Sequence, residues 1–167
     1  AFKKGHKGTI GRLPHYLDRI SPNVTNDYAK APKRNSGRTT RALWRSHQKG
    51  AKQMNLDPKT DLTFTRTLIA PRLLLWECWT TPNHIKHFFV PKPHGIEACD
   101  IDLRVGGKFN TTMNIEGNVM VNEGIFLEII DGERLVFTDT YSEGWKPAAD
   151  PFMTAIIDFA DDGKGGT

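Results

Sequence analysis

Apolar and polar positions along this chain change period twice. Leu62, Phe64 and Leu68 alternate with Thr63, Thr65 and Thr67, and this β-branched and aromatic alternation predicts a strand over 62–69. Past Pro71, which suits a first helical position, the alternation stops. Leu73, Leu74, Leu75, Trp76, Cys78 and Trp79 leave only Arg72 and Glu77 polar, which predicts a helix covered on most sides. Thr81-Pro82 supplies the N-cap and first position of a second short helix, in which Ile85, Phe88 and Phe89 share a face. Pro91 and Pro93 close it.

From Ile96 the period returns to two. Ile101 and Leu103 alternate with Asp100 and Asp102, and Gly106-Gly107 then turns the chain into Phe109, Thr111, Met113 and Ile115. Paired glycines between alternating runs predict a hairpin, because each accepts a positive φ that a side chain would oppose. Glu116-Gly117-Asn118 predicts the next turn, a long strand follows over 121–130, and Asp131-Gly132 predicts a hairpin into 135–141. A last strand is expected over 152–159. Six strands with two small helices after the first predict an α+β domain of consecutive antiparallel neighbours.

Charge divides the chain unevenly. Residues 1–60 hold 14 Lys/Arg against 3 Asp/Glu, whereas residues 61–167 hold 9 against 16. Over 1–37 the glycines and prolines are spread through apolar residues of no regular period, and such a segment cannot bury enough surface to offset its ordering entropy. Residues 38–53 are compatible with a helix, in which Leu43 and Trp44 give almost no apolar stripe. The first methionine, Met54, precedes Asp57-Pro58, so residues 1–53 are expected to be a basic, disordered or spurious extension and 54–167 the domain. A nucleic-acid role would involve only that extension, through its Lys and Arg and through stacking by Tyr16, Tyr28 or Trp44. With no apolar run of membrane-spanning length and no signal-peptide core, the expected location is cytoplasmic, away from any membrane.

The run Arg66-Thr-Leu-Ile-Ala-Pro71-Arg-Leu-Leu-Leu-Trp76-Glu-Cys-Trp79-Thr-Thr-Pro82, followed by Asp100-Ile-Asp102-Leu-Arg104-Val-Gly106-Gly107-Lys-Phe109, places these features in a fixed order. That order resembles the Aha-type branch (activator of heat-shock protein 90 ATPase homologue) of the START-like, or SRPBCC, superfamily. The resemblance implies a helix-grip fold, a curved antiparallel sheet around a long helix that encloses an apolar pocket. It also implies one more strand and the long C-terminal helix after the turn Asp161-Asp-Gly-Lys-Gly-Gly-Thr167, so the domain is expected to be truncated before those closing elements.

Candidate chemistry adds little. His84 and His87 lie one turn apart with no glutamate or cysteine at a recognised metal spacing, so they are expected to be surface histidines, and neither a metal nor a cofactor is expected. Asp100, Asp102, Arg104 and Lys108 are expected to form ion pairs on a solvated sheet face. Cys78, with Glu77 beside it and bulky apolar neighbours, should carry a raised thiol pKa, and with Cys99 it is expected to stay a free thiol. No nucleophile motif or phosphate loop occurs, and no catalytic residue is assigned.

What remains is apolar and aromatic lining. Trp76, Phe88 and Phe89 on the helices, Phe109 and Met113 on one strand, and Phe126, Phe137, Tyr141, Trp145 and Phe152 beyond are expected to face one concavity, with Thr111 and Asp139 as polar contacts. The expected function is binding of a small apolar ligand. A chaperone partner, as for the eukaryotic namesake in the stress response, is the alternative that the resemblance implies. An enzyme of the polyketide cyclase or dehydrase kind would need acid–base groups in the pocket, and none is found.

Overall fold

The computed structural model describes residues 12–19, 57 and 59–167. Its backbone divides into two compact units, one formed by Ala1–Asn23 with Thr67–Thr167, the other by Val24–Arg66. In the second unit the described residues begin with a turn in which the Asp61 amide donates to the Asp57 carbonyl at 2.7 Å, and continue as exposed chain. The helix expected over 38–53, and the stacking residues Tyr28 and Trp44, lie outside the described residues.

The first unit holds three helices among the described residues: α1 over residues 12–19, α2 (Arg72–Thr80) and α3 (Pro82–Phe88). Leu74, Leu75, Trp76, Cys78 and Trp79 of α2 are buried, as an almost wholly apolar helix requires, and Ile85 and Phe88 carry the buried face of α3. Pro71 is the N-cap of α2, one position before the expected one, and Pro82 opens α3.

Two three-stranded antiparallel sheets follow. The first is β1 (Gly95–Ile101), β2 (Phe109–Ile115) and β3 (Asn118–Asn122), in that order. The second orders β4 (Ile125–Ile130), β5 (Arg134–Thr138) and β8 (Thr154–Asp158). A minimal hairpin, β6 (Tyr141–Ser142) with β7 (Lys146–Pro147), stands between β5 and β8. The expected α+β architecture is present, with turns at Gly106-Gly107 and Asp131-Gly132.

Three expectations are corrected. Residues 62–69 form no strand: Leu62 and Phe64 are exposed, and Leu68 alone exchanges two backbone hydrogen bonds, at 2.7 and 3.0 Å, with Thr167. Alternation makes a strand only where a partner supplies the ladder. The strand expected over 121–130 is broken at Glu123-Gly124, so that β3 pairs with β2 while β4 pairs with β5. At the break the Gly124 carbonyl accepts from Phe109 at 2.8 Å and the Phe126 amide donates to Gly107 at 3.0 Å, which stitches the two sheets together. A Cβ on Gly124 would lie 2.6 Å from the Thr138 carbonyl oxygen, so any side chain there would force the crossing to shift.

The third correction concerns residues 12–19. They are not an unstructured extension but a helix whose Leu13, Tyr16 and Leu17 are buried in the first unit. The Arg12 guanidinium donates to the Val90 carbonyl at 2.6 Å, and the Tyr16 ring stacks on His87 with centroids 4.9 Å apart. The Tyr16 hydroxyl hydrogen-bonds His84 Nδ1, while His84 Nε2 lies 3.7 Å from Glu77 Oε1. The two histidines expected on a solvated face therefore form the seat of α1. Leu13, Tyr16 and Leu17 follow the i, i+3, i+4 spacing of an amphipathic helix, a stripe hidden by the surrounding glycines and prolines.

Candidate ligand site

Alternation along β2 sends Phe109, Thr111 and Met113 to one face of the first sheet. Phe109 stands among three rings: Phe89 at 5.7 Å, Phe126 at 5.5 Å and Phe137 at 4.4 Å between centroids. Trp79 extends the cluster, 5.2 Å from Phe88 and 6.2 Å from Phe89. Phe88, Phe89, Phe109, Phe126 and Phe137, all expected at the site, are thus brought together, and Trp79 joins them from α2. These rings close one end of the face.

The other end is more open. Residues directly opposite on neighbouring strands share a face, so Thr111 is flanked by Cys99 of β1 and Asn122 of β3, and Met113 by Ile96 and Met120. Thr111 is only 1% exposed, Cys99, Asn122 and Met113 are half-buried, and Met120 is 47% exposed. Burial holds the Cys99 thiol at about 11, with Lys86 lowering it and Asp100 raising it as weaker influences, so it stays a neutral thiol. The Thr111 hydroxyl has no hydrogen-bond partner, although a buried polar group is normally paired. From Phe109 to Met120 the face runs from closed and aromatic, through a neutral polar row, to an accessible apolar edge.

The remaining expected residues lie apart from this cluster. Trp76 packs on Phe159 at 5.7 Å. Asp139 is a loop anchor whose Oδ1 accepts from the Phe152 and Met153 amides at 3.0 and 2.9 Å. Tyr141 and Trp145 pair at 6.1 Å on the small β6–β7 hairpin, with Trp145 52% exposed, and Phe152 is 66% exposed. Cys99 and Asn122 were not expected at the site. Alternation signals their place only once the strand register is known.

Two open depressions lie on described residues. One, of about 400 Å³, surrounds Pro93, His94, Glu97 and Asn114, and the other, of about 470 Å³, lies between Pro71–Leu73 and Gly163–Gly166. Neither includes any of the residues expected at the site. Arg104 pairs with Asp102 at 2.7 Å and Lys108 with Asp100 at 2.6 Å, each pair joining an exposed side chain to a half-buried one, as solvated ion pairs. Burial, then Glu77, pushes the Cys78 thiol up to about 12, so it is no nucleophile. Both cysteines are free. Among the described residues no group of His, Cys, Asp and Glu is placed to hold a metal, and no helix is long and apolar enough to cross a membrane.

The family model described as Activator of Hsp90 ATPase homolog 1-like protein matches residues 69–167. Among solved structures, protein NE0264 from Nitrosomonas europaea is 41% identical, with a TM-score of 0.63 over 66% of this chain and 72% of that one. Protein Ms6760 from Mycobacterium smegmatis shares the fold at 23% identity, with a TM-score of 0.50 over 60% of this chain and 63% of that one. No curated protein matches the chain.

Proposed function

Because the chain belongs to the Activator of Hsp90 ATPase homolog 1-like family, within the START-like superfamily, we propose that it binds a small apolar molecule on the face lined by Phe109, Thr111 and Met113. The observation that carries this reading is the grading of that face. A closed cluster of rings forms its floor, and half-buried Met113 with exposed Met120 forms an accessible apolar rim. Apolar lining with a few placed polar groups is the usual make-up of a small-molecule site. The ion-paired carboxylates and the raised thiols provide no acid–base or nucleophilic machinery, so binding is favoured over turnover.

The test uses 1-aminoanthracene, a neutral apolar fluorophore, titrated against the 167-residue chain. Saturation at one equivalent is expected, with Trp79 emission changing because its ring touches Phe89. Ligand at one hundred times Kd should add about 2.7 kcal/mol of stability and raise Tm. Met113→Trp, which fills the open end, should weaken the probe at least about ten-fold while leaving Tm near that of the parent. An unchanged Tm at saturating probe would exclude the site.

A second reading, a protein partner of the chaperone kind, has one observation in its favour. β3 is an edge strand, and Val119, Met120 and Val121 are exposed along it. Exposed apolar edges are surfaces on which other chains pair. Val119→Lys with Val121→Lys should abolish such an association yet leave probe binding intact, because both valines lie on the opposite face from Met120.

A further inference from the structure

The row Cys99–Thr111–Asn122 crosses the otherwise apolar face between the ring cluster and the methionines. All three side chains are hydrogen-bonding, and none is charged. Burying a hydroxyl without a partner is unfavourable, so an orphan such as Thr111 Oγ1 calls for an explanation in function or packing. Of its neighbours on that face Phe109 offers no side-chain acceptor and Met113 only a weak thioether one, and the strand geometry aims it to the same side as both. Asn122 can donate and accept on one flank, and the Cys99 thiol donates weakly on the other. The charges that act on Cys99, Lys86 and Asp100, are of opposite sign and work against each other.

We infer that this row receives the uncharged hydrogen-bonding head group of an otherwise apolar ligand, an alcohol, ketone or amide and not a carboxylate. The inference rests on the reading of this face as a small-molecule site and names the ligand class that the site takes. An apolar tail lies against Phe89, Phe109 and Met113, and the head pairs with Thr111 Oγ1 and the Asn122 amide. A carboxylate head would lose its hydration to a row in which no residue is a cation and beside which Lys86 is opposed by Asp100, and buried ions without partners are strongly disfavoured.

The experiment compares three ten-carbon probes on the full chain by calorimetry at neutral pH: 1-decanol, decanamide and decanoate. The two neutral probes should bind on the order of ten-fold or more tighter than the anion. Thr111→Val keeps the shape and removes the hydroxyl. It should weaken the neutral probes roughly 2- to 10-fold, the range of one net hydrogen bond, and change decanoate less. The unliganded variant should melt higher, because the orphan is gone. Thr112→Val, on the opposite face of β2, should leave all three affinities unchanged. If none of the probes binds, the small-molecule reading fails and this inference with it. If decanoate binds as tightly as the neutral pair, or Thr111→Val raises Tm without altering any affinity, the site stands and only the head-group assignment falls.

Discussion

The two sheets of this protein are built from similar residues yet carry different burdens. In β4–β5–β8 the middle strand is buried on both faces, with Leu135 and Phe137 on one side and Val136 and Thr138 on the other. The Thr138 hydroxyl is fully engaged, bonding Thr140, Thr154 and the Met153 carbonyl. In β1–β2–β3 the middle strand is buried only at its start, and its own inward threonine, Thr111, has no partner. Paired threonine in one sheet and orphan in the other separate a sheet whose buried polar groups are all satisfied from one that buries a hydroxyl without a partner. Proteins place such local departures from good packing at functional sites.

The largest effect should come from the closed sheet. Phe137→Ala removes a ring packed against both Phe109 and Phe126 and should cost about 3–5 kcal/mol in a urea titration, much of a small domain's stability. Met113→Ala, at a half-buried position on the open sheet, should cost under about 2 kcal/mol. Equal losses would erase the distinction. Next comes the seam between the sheets. Gly124→Ala forces a Cβ against the Thr138 carbonyl and should cost roughly 1–3 kcal/mol. Gly95→Ala on β1, which meets nothing within 4 Å, should stay within about 0.5 kcal/mol.

The smallest effect concerns α1. His87 faces Tyr16, Arg12 and Arg19 from α1 and His84 and Lys86 on its own helix. Burial first, then Arg19, His84, Arg12 and Lys86, holds its pKa below the ordinary histidine value. The undocked state therefore takes up a proton first as pH falls. Docking is complete above the usual value near 6.5 and weakens as pH drops through it toward the docked value. Amide exchange over residues 12–19, corrected for intrinsic rates, should be faster at acidic than at alkaline pH, and His87→Phe should remove the difference. A pH-independent profile in the parent chain would show that this histidine does not couple to α1.

Much of the domain was legible in the residues. Helix α2 follows from an apolar run after a proline, α3 from Thr81-Pro82, and the hairpins from Gly106-Gly107 and Asp131-Gly132. These signals are local, since a proline ring or a glycine without Cβ acts on its own backbone whatever surrounds it. Of the expected lining, the rings of Phe88, Phe89, Phe109, Phe126 and Phe137 do meet, whereas Trp76, Asp139, Trp145 and Phe152 serve other contacts. An aromatic residue on a strand announces burial but not the neighbour against which it is buried.

By itself, then, the sequence determined helices α2 and α3, where the chain turns and which strand residues alternate. Only the tertiary structure decided which alternating runs become strands, since 62–69 alternates without a ladder partner while 121–130 alternates yet breaks at Gly124 to serve two sheets. The same holds for the row Cys99–Thr111–Asn122, whose members are 11 or more residues apart and meet only through strand register. Local conformation depends on each residue's own covalent geometry. Pairing and burial depend on partners distant in the chain, and a one-residue change in register would turn Thr111 to the opposite face.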